Sequence, residues 1–140
     1  MLPGHALRDT ITIWNLTSRG PAEKDTFQRT IVARTQCNVE DQRILDNAGN
    51  YRTAEVLTAR IDIRVSEASG GRKYMPHNEW GQEPSEIGKH WTIRPGFDYI
   101  ARGSFPDEAP PTSGRKVYKV RAVFVRRTPD GRGIIRVVAT

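Results

Sequence analysis

The chain has 140 residues, enough for one hydrophobic core and too few for two independent ones. Apolar residues make up 36% and charged residues 27%, a polar composition that still stands clear of the low-hydrophobicity regime of disorder. The net charge of +6 lies at one end: residues 115–140 hold eight Lys/Arg against the single acid Asp130, whereas the preceding 114 hold fourteen Lys/Arg and fifteen Asp/Glu. Such asymmetry points to an acidic partner, either nucleic acid or the negative face of another protein. No apolar run approaches the roughly 18 to 20 residues that cross a bilayer, so no membrane association is expected. The opening residues lack an apolar stretch of signal-peptide length, so secretion by that route is not expected, and a single cysteine fits a protein made in a reducing cytoplasm. Cys37 is the only cysteine, which excludes an internal disulfide and reads as a small buried apolar residue rather than a nucleophile or metal ligand.

Period-two alternation dominates the chain, as strands with one buried and one wet face require. Asp9 to Leu16 (DTITIWNL) is rich in β-branched residues, with Ile11 and Ile13 on one face and Trp14 and Leu16 on the other. Phe27 to Arg34 continues the pattern, Val39 to Leu45 does so more weakly, and Asp46 to Asn50 reads as a turn. The clearest strand is Leu57 to Val65, where Leu57, Ala59, Ile61, Ile63 and Val65 alternate with polar residues. A long Gly- and Pro-bearing loop spans 66–89. His90 to Ile93 and Asp98 to Arg102 are short strands joined by Arg94-Pro-Gly-Phe97, whose Pro-Gly centre is the chemistry of a type II turn. Gly103 to Gly114 is Pro-rich and acidic and reads as a flexible surface connection. Val117 to Arg126 places Tyr118, Val120, Ala122 and Phe124 on one face and Lys119 and Arg121 on the other; Thr128 to Gly133 then turns the chain into Ile134 to Ala139.

No stretch of helical length shows a 3.6-residue apolar period, so helix is limited to single turns near Pro21 to Asp25 and Pro84 to Gly88. Short strands separated by turn clusters predict a single all-β domain over 1–140: a small antiparallel β-barrel or sandwich of about seven strands with one long inserted loop.

The motifs of nucleotide-binding loops, hydrolase elbows and metalloprotease helices are all missing, so an enzyme is not expected. His77-Asn78-Glu79 is the densest grouping of potential ligands, too few for a tetrahedral metal site when Cys37 is the one thiol. Neither a metal nor a cofactor is therefore expected. Two segments are candidates for contact instead. In the 66–89 loop, Arg72, Lys73, Tyr74, Met75 and Trp80 are candidate contacts to a partner, because a solvating linker seldom needs such side chains; the alternative is packing back onto the barrel. In the C-terminal hairpin, Lys119, Arg121, Arg126, Arg127, Arg132 and Arg136 form a basic face that is either an ordinary solvated strand face or a contact for a neighbouring subunit, an acidic partner or nucleic acid, as on OB-like modules. The alternation puts Tyr118 and Phe124 opposite Lys119 and Arg121, which favours core packing for both rings over base stacking.

Several short motifs, in order, resemble those of the minor capsid, or head-to-tail joining, proteins of siphophages and prophages of Gram-positive bacteria. They are the opening Asp9-Thr-Ile-Thr-Ile-Trp-Asn15, then Phe27-Gln-Arg-Thr-Ile31, then Tyr74-Met-Pro-His-Asn-Glu-Trp80. Trp91-Thr-Ile-Arg-Pro-Gly96 with Asp98-Tyr-Ile-Ala-Arg-Gly103 follows, and Tyr118-Lys-Val120 with Asp130-Gly-Arg-Gly133 closes the pattern. Phe97 is an extra residue between the Pro-Gly turn and Asp98, and the last turn differs from the family's. The resemblance implies a β-barrel that assembles as a ring, hexamer or dodecamer, in the virion neck. There it would meet a portal or adaptor protein on the head side and a tail terminator or tail tube on the tail side, with non-specific contact to packaged DNA. A stopper that closes or gates the DNA channel is the role implied, with the 66–89 loop at the lumen; a tail-completion or terminator ring is the neighbouring alternative.

Overall fold

The computed structural model describes residues 7–18, 20, 25–111, 116–127 and 133–140. Among them the strands are β1 (Asp9–Ser18), β2 (Thr26–Leu45), β3 (Tyr51–Asp62), β4 (Glu67–Ala68), β5 (Lys73–Tyr74), β6 (His90–Trp91), β7 (Tyr99–Arg102), β8 (Tyr118–Arg127) and β9 (Gly133–Ala139), with 3-10 turns at Ser69–Gly71 and Pro84–Lys89. The helical turn expected near Pro84 is thus present, while the one expected near Pro21 falls largely outside the described residues.

Hydrogen bonding runs β1-β7-β8-β9-β3-β2 and returns from β2 to β1, closing a six-stranded antiparallel barrel, with β4 as a short extra strand on β2. Closure removes the exposed edges that an open sheet would present. The alternation read from the sequence fills the interior: Ile11, Ile13, Leu57, Ala59, Ile61, Ile100, Val120, Ile135, Val137 and Ala139 are buried in one cluster, joined by Trp91 and Ile93. Cys37 is buried in the same cluster, and burial pushes its thiol up to about 11.

Four features differ from the sequence expectation. First, the segments Phe27 to Arg34 and Val39 to Leu45 are one continuous strand of 20 residues. Its first half pairs with β1 and its second with β3, and the register slips where Asp9 faces Thr35 but Ile11 faces Val32. Arg34 sits at that slip with φ +60, so a left-handed residue bends the strand where an interruption was expected.

Second, the strand expected to run to Val65 ends at Asp62. The Asp62 carboxylate accepts from the Arg64 amide at 3.1 Å and its carbonyl from the amides of Val65 and Ser66, so a turn replaces the last three residues of apparent alternation.

Third, residues 103–111 of the Pro-rich segment are a cover over the outer face of β1. Trp14 is fully buried beneath them, donating Nε1–H to the Asp107 carbonyl at 2.9 Å with its ring edge-on to Phe105. The Thr12 hydroxyl donates to the Gly103 carbonyl at 2.7 Å, and Arg29 donates to that of Phe105 at 3.0 Å. β1 is therefore buried on both faces over Ile11 to Leu16.

Fourth, β8 carries a bulge: Val120 faces Ala139 but Ala122 faces Val138, so Arg121 is an extra residue and the alternation changes phase beyond it. Tyr118 and Val120 stay buried, Val123 packs on the core, and Phe124 turns outward, 55% exposed. The expected core position of Phe124 is corrected accordingly.

Candidate interaction surfaces

The most heavily bonded group in the barrel is built from the motifs that carry the family resemblance. The turn Arg94-Pro-Gly-Phe97 has Gly96 at φ +82, the left-handed third position a type II turn requires, and it returns the chain so that Asp98 lies beneath Arg94. Asp98 is fully buried, and it accepts from the Arg94 side chain twice, Nε to Oδ2 at 3.1 Å and Nη2 to Oδ1 at 2.8 Å. It also accepts from the Arg94 amide at 2.8 Å, the Leu16 amide at 2.9 Å and the Asn15 side chain at 3.0 Å. Asn15, buried as well, holds the backbone of Thr92 through its amide and carbonyl. A buried carboxylate is tolerated when its lone pairs are filled in this way. The opening strand and the Trp-Thr-Ile-Arg-Pro-Gly turn thus form one structural joint between β1, β6 and β7.

In the 66–89 segment Arg72, Tyr74 and Trp80 pack back onto this barrel, the alternative that the sequence left open. Arg72 donates to the Arg29 carbonyl at 2.6 Å, the Thr30 hydroxyl at 3.1 Å and the Gly88 carbonyl at 3.1 Å. Tyr74 packs on the core with its ring 5.2 Å from that of Trp91, and the Met75 amide donates to the Trp91 carbonyl at 2.8 Å, extending the parallel β5–β6 pair. Trp80 lies over Arg94, with the guanidinium 5.7 Å from its ring centroid, and so helps to screen the buried ion pair. Met75 is half-buried; Lys73 alone of the five candidates is exposed. His77 and Glu79 line a shallow cleft with Tyr74, Pro76, Asn78 and Val125. Among the described residues no three His, Cys, Asp or Glu side chains are grouped to hold a metal ion.

On the described basic hairpin Arg121, Arg126 and Arg136 are exposed, and an aromatic joins them. Phe124 of β8, Arg136 of β9, Arg60 of β3 and Gln36 of β2 are successive register partners, a row crossing four strands on the outer surface. The Arg136 guanidinium lies 5.6 Å from the Phe124 ring centroid, a cation–π contact. Arg126 is exposed one alternate position beyond Phe124, and exposed Arg121 donates to the Thr140 hydroxyl at 3.0 Å. Lys119 is half-buried beside Tyr99 of β7. The Arg127 backbone pairs with Gly133, whereas Arg132 lies outside the described residues. Arg60 was not among the sequence candidates: its exposure follows from alternation, but its place beside Arg136 depends on β3 pairing with β9.

At the opposite end of β8, Tyr118 donates its hydroxyl to the Glu55 carboxylate, and Lys116 reaches the same carboxylate at 3.3 Å. These bonds, the tyrosine's first, hold Glu55 below the usual carboxylate range, while burial and then the Glu55 partner push the Tyr118 hydroxyl up.

The architecture defines a small closed antiparallel β-barrel whose described surface carries one strongly basic hairpin. Residues 6–128 match the sequence profile of a family of unknown function, DUF6751, and the chain belongs to that family. No curated protein and no solved structure matches it.

Proposed function

We propose that this protein is a structural component of a tailed-phage virion, a ring-forming head-to-tail connector subunit of the stopper type that closes the packaged head and docks the tail. The observation that supports this reading most is the convergence of the motifs shared with head-to-tail joining proteins. Asn15 from the first, and Thr92, Arg94 and Asp98 from the Trp-Thr-Ile-Arg-Pro-Gly region, are bonded to one another in the barrel. Similarity concentrated on a fold-determining joint argues for a common barrel rather than for chance matches in loops. The mechanism is mechanical: a rigid body with electrically unlike surfaces is suited to head-to-tail association around an axis. The anchored 66–89 segment gives that body its shape, and the neck position puts basic surface near packaged DNA and the portal. Cryo-electron microscopy of virions from the genome that encodes the chain tests this directly. A ring of it between portal and tail is the expected result, and its absence from the particle would overturn the reading.

A second reading is favoured by one observation. Phe124 shares the outer face with Arg136, Arg126 and Arg60, an aromatic among cations on a β-surface, which suits stacking and phosphate contact with single-stranded nucleic acid. Fluorescence anisotropy with a labelled oligonucleotide tests it. Steeply salt-dependent affinity that falls in Phe124→Ala is expected on this reading, and no binding at low salt removes it.

A further inference from the structure

Part of the β2–β3 hairpin leaves the barrel. Among the described residues β9 reaches β3 only over Leu57–Asp62, and β1 reaches β2 only as far as Thr35, so residues 40–45 and 51–56 are paired with each other alone. Six residues per strand at about 3.4 Å each make an arm about 20 Å long. Glu40, Asp41, Gln42, Arg43 and Leu45 on one strand and Tyr51, Arg52 and Thr53 on the other are all exposed, so both faces of the outer ribbon meet solvent, whereas at its base Val56 is buried and Glu55 accepts from Tyr118 and Lys116. A two-stranded ribbon without a third strand or a packed face is marginal in water.

The arm states what would cover it. Leu45 and Tyr51 face each other across its tip, 59% and 64% exposed, with the Arg43 guanidinium 4.6 Å from the Tyr51 ring centroid. Residues 40–55 carry the acids Glu40, Asp41, Asp46 and Glu55 against Arg43 and Arg52. Asp41 stands directly opposite Glu55 in the ladder, a like-charge pair that a nearby cation relieves, as Lys116 does at Glu55. The complementary surface is therefore basic with an apolar centre. The chain presents such a surface elsewhere: Phe124 exposed amid Arg136, Arg126 and Arg60, on strands β8 and β9, whose described residues 116–127 and 133–140 contain no acid.

We propose that the arm of one copy docks on the outer β8–β9–β3 face of a second copy, with Leu45 and Tyr51 against Phe124 and the Asp41 carboxylate, which shares their face of the ribbon, against Arg126, Arg136 and Arg60. The contact joins unlike surfaces, so it repeats from subunit to subunit and closes into a ring or extends as a filament. Only its closure into a neck ring rests on the connector reading; the contact itself belongs to the chain alone.

Charge reversal on the purified full-length chain tests it. The arm variant is Asp41→Lys and the face variant Arg126→Glu/Arg136→Glu, all at exposed positions, with thermal unfolding as the check on folding. Sedimentation should show concentration-dependent association of the unaltered chain, weakened at least about tenfold in either variant and restored when the two are mixed. Independently, chains carrying Leu45→Cys and chains carrying Phe124→Cys should form a disulfide between unlike chains only. Association that survives both reversals overturns the arm contact while leaving the ring itself to imaging of virions. A chain that remains monomeric to about 1 mM and yields no such disulfide overturns it too. So does a face variant that loses affinity for labelled oligo(dT) while associating normally, which would assign the face to nucleic acid.

Discussion

Arg94 grips Asp98 with both ends of its guanidinium, Nε to Oδ2 at 3.1 Å and Nη2 to Oδ1 at 2.8 Å, while the same Nη2 donates to the Leu16 carbonyl at 2.6 Å. Removing the cation leaves a carboxylate buried without its counter-charge, the costly way to break such a pair. Arg94→Met should lower unfolding free energy by about 3–5 kcal/mol. Arg94→Lys should recover little, because an ammonium cannot reproduce the forked geometry. Urea denaturation of both variants measures it.

Phe124 gives the opposite result. As an outward ring it should tolerate Phe124→Ala at a cost below about 1 kcal/mol, chiefly the contact with Arg136. Trp14→Ala, which empties the covered outer face of β1, should cost about 3–5 kcal/mol. The same denaturation experiment separates them, and a large loss at Phe124 would return its ring to the core.

These two residues mark what the sequence could convey. Alternation located every barrel strand approximately and assigned Ile11, Ile13, Leu57, Ala59 and Ile61 to the core, because burial on one face imposes a period of two. It misplaced Phe124 because one extra residue, Arg121, reverses the phase, and bulges carry no composition signal of their own. It read Gly103 to Gly114 as a free connection because its role depends on the distant Trp14. The Arg94-Pro-Gly turn and the nearness of Asp98 to Arg94 follow from local spacing; the burial of that ion pair does not, since it depends on Asn15 and Leu16 of β1 closing over it.

Glu55 and Tyr118 should shape stability at both ends of the pH scale. Glu55 is held below its ordinary 4.5, so its contribution is present above that value and fades as pH falls through the lowered one. Tyr118 is held above its ordinary 10.0, so its contribution is complete below 10.0 and fades as pH rises towards the raised value. Tyr118→Phe should flatten both flanks relative to the unaltered chain. Denaturation midpoints between about pH 3 and 11 provide the comparison.

Cys37 should be nearly inert in the folded chain. Its thiol is pushed from 9.0 up to about 11 by burial, which alone reduces the thiolate at neutral pH about a hundredfold. Reaction with a thiol-specific disulfide reagent at mild alkaline pH should be slow in buffer and immediate in denaturant. Fast labelling of the native chain would show that the barrel opens at Cys37.

The continuity of β2 has a mechanical consequence. One unbroken strand of 20 residues forms both barrel wall and arm, and ladder hydrogen bonds lie across the strand direction. Tension applied at the arm tip draws β2 and β3 together and is therefore carried in shear by the β1–β2 and β3–β9 bonds, instead of peeling them one at a time. The arm is a tether anchored in a closed hoop, and the bend at Arg34 is where a pull on it changes direction.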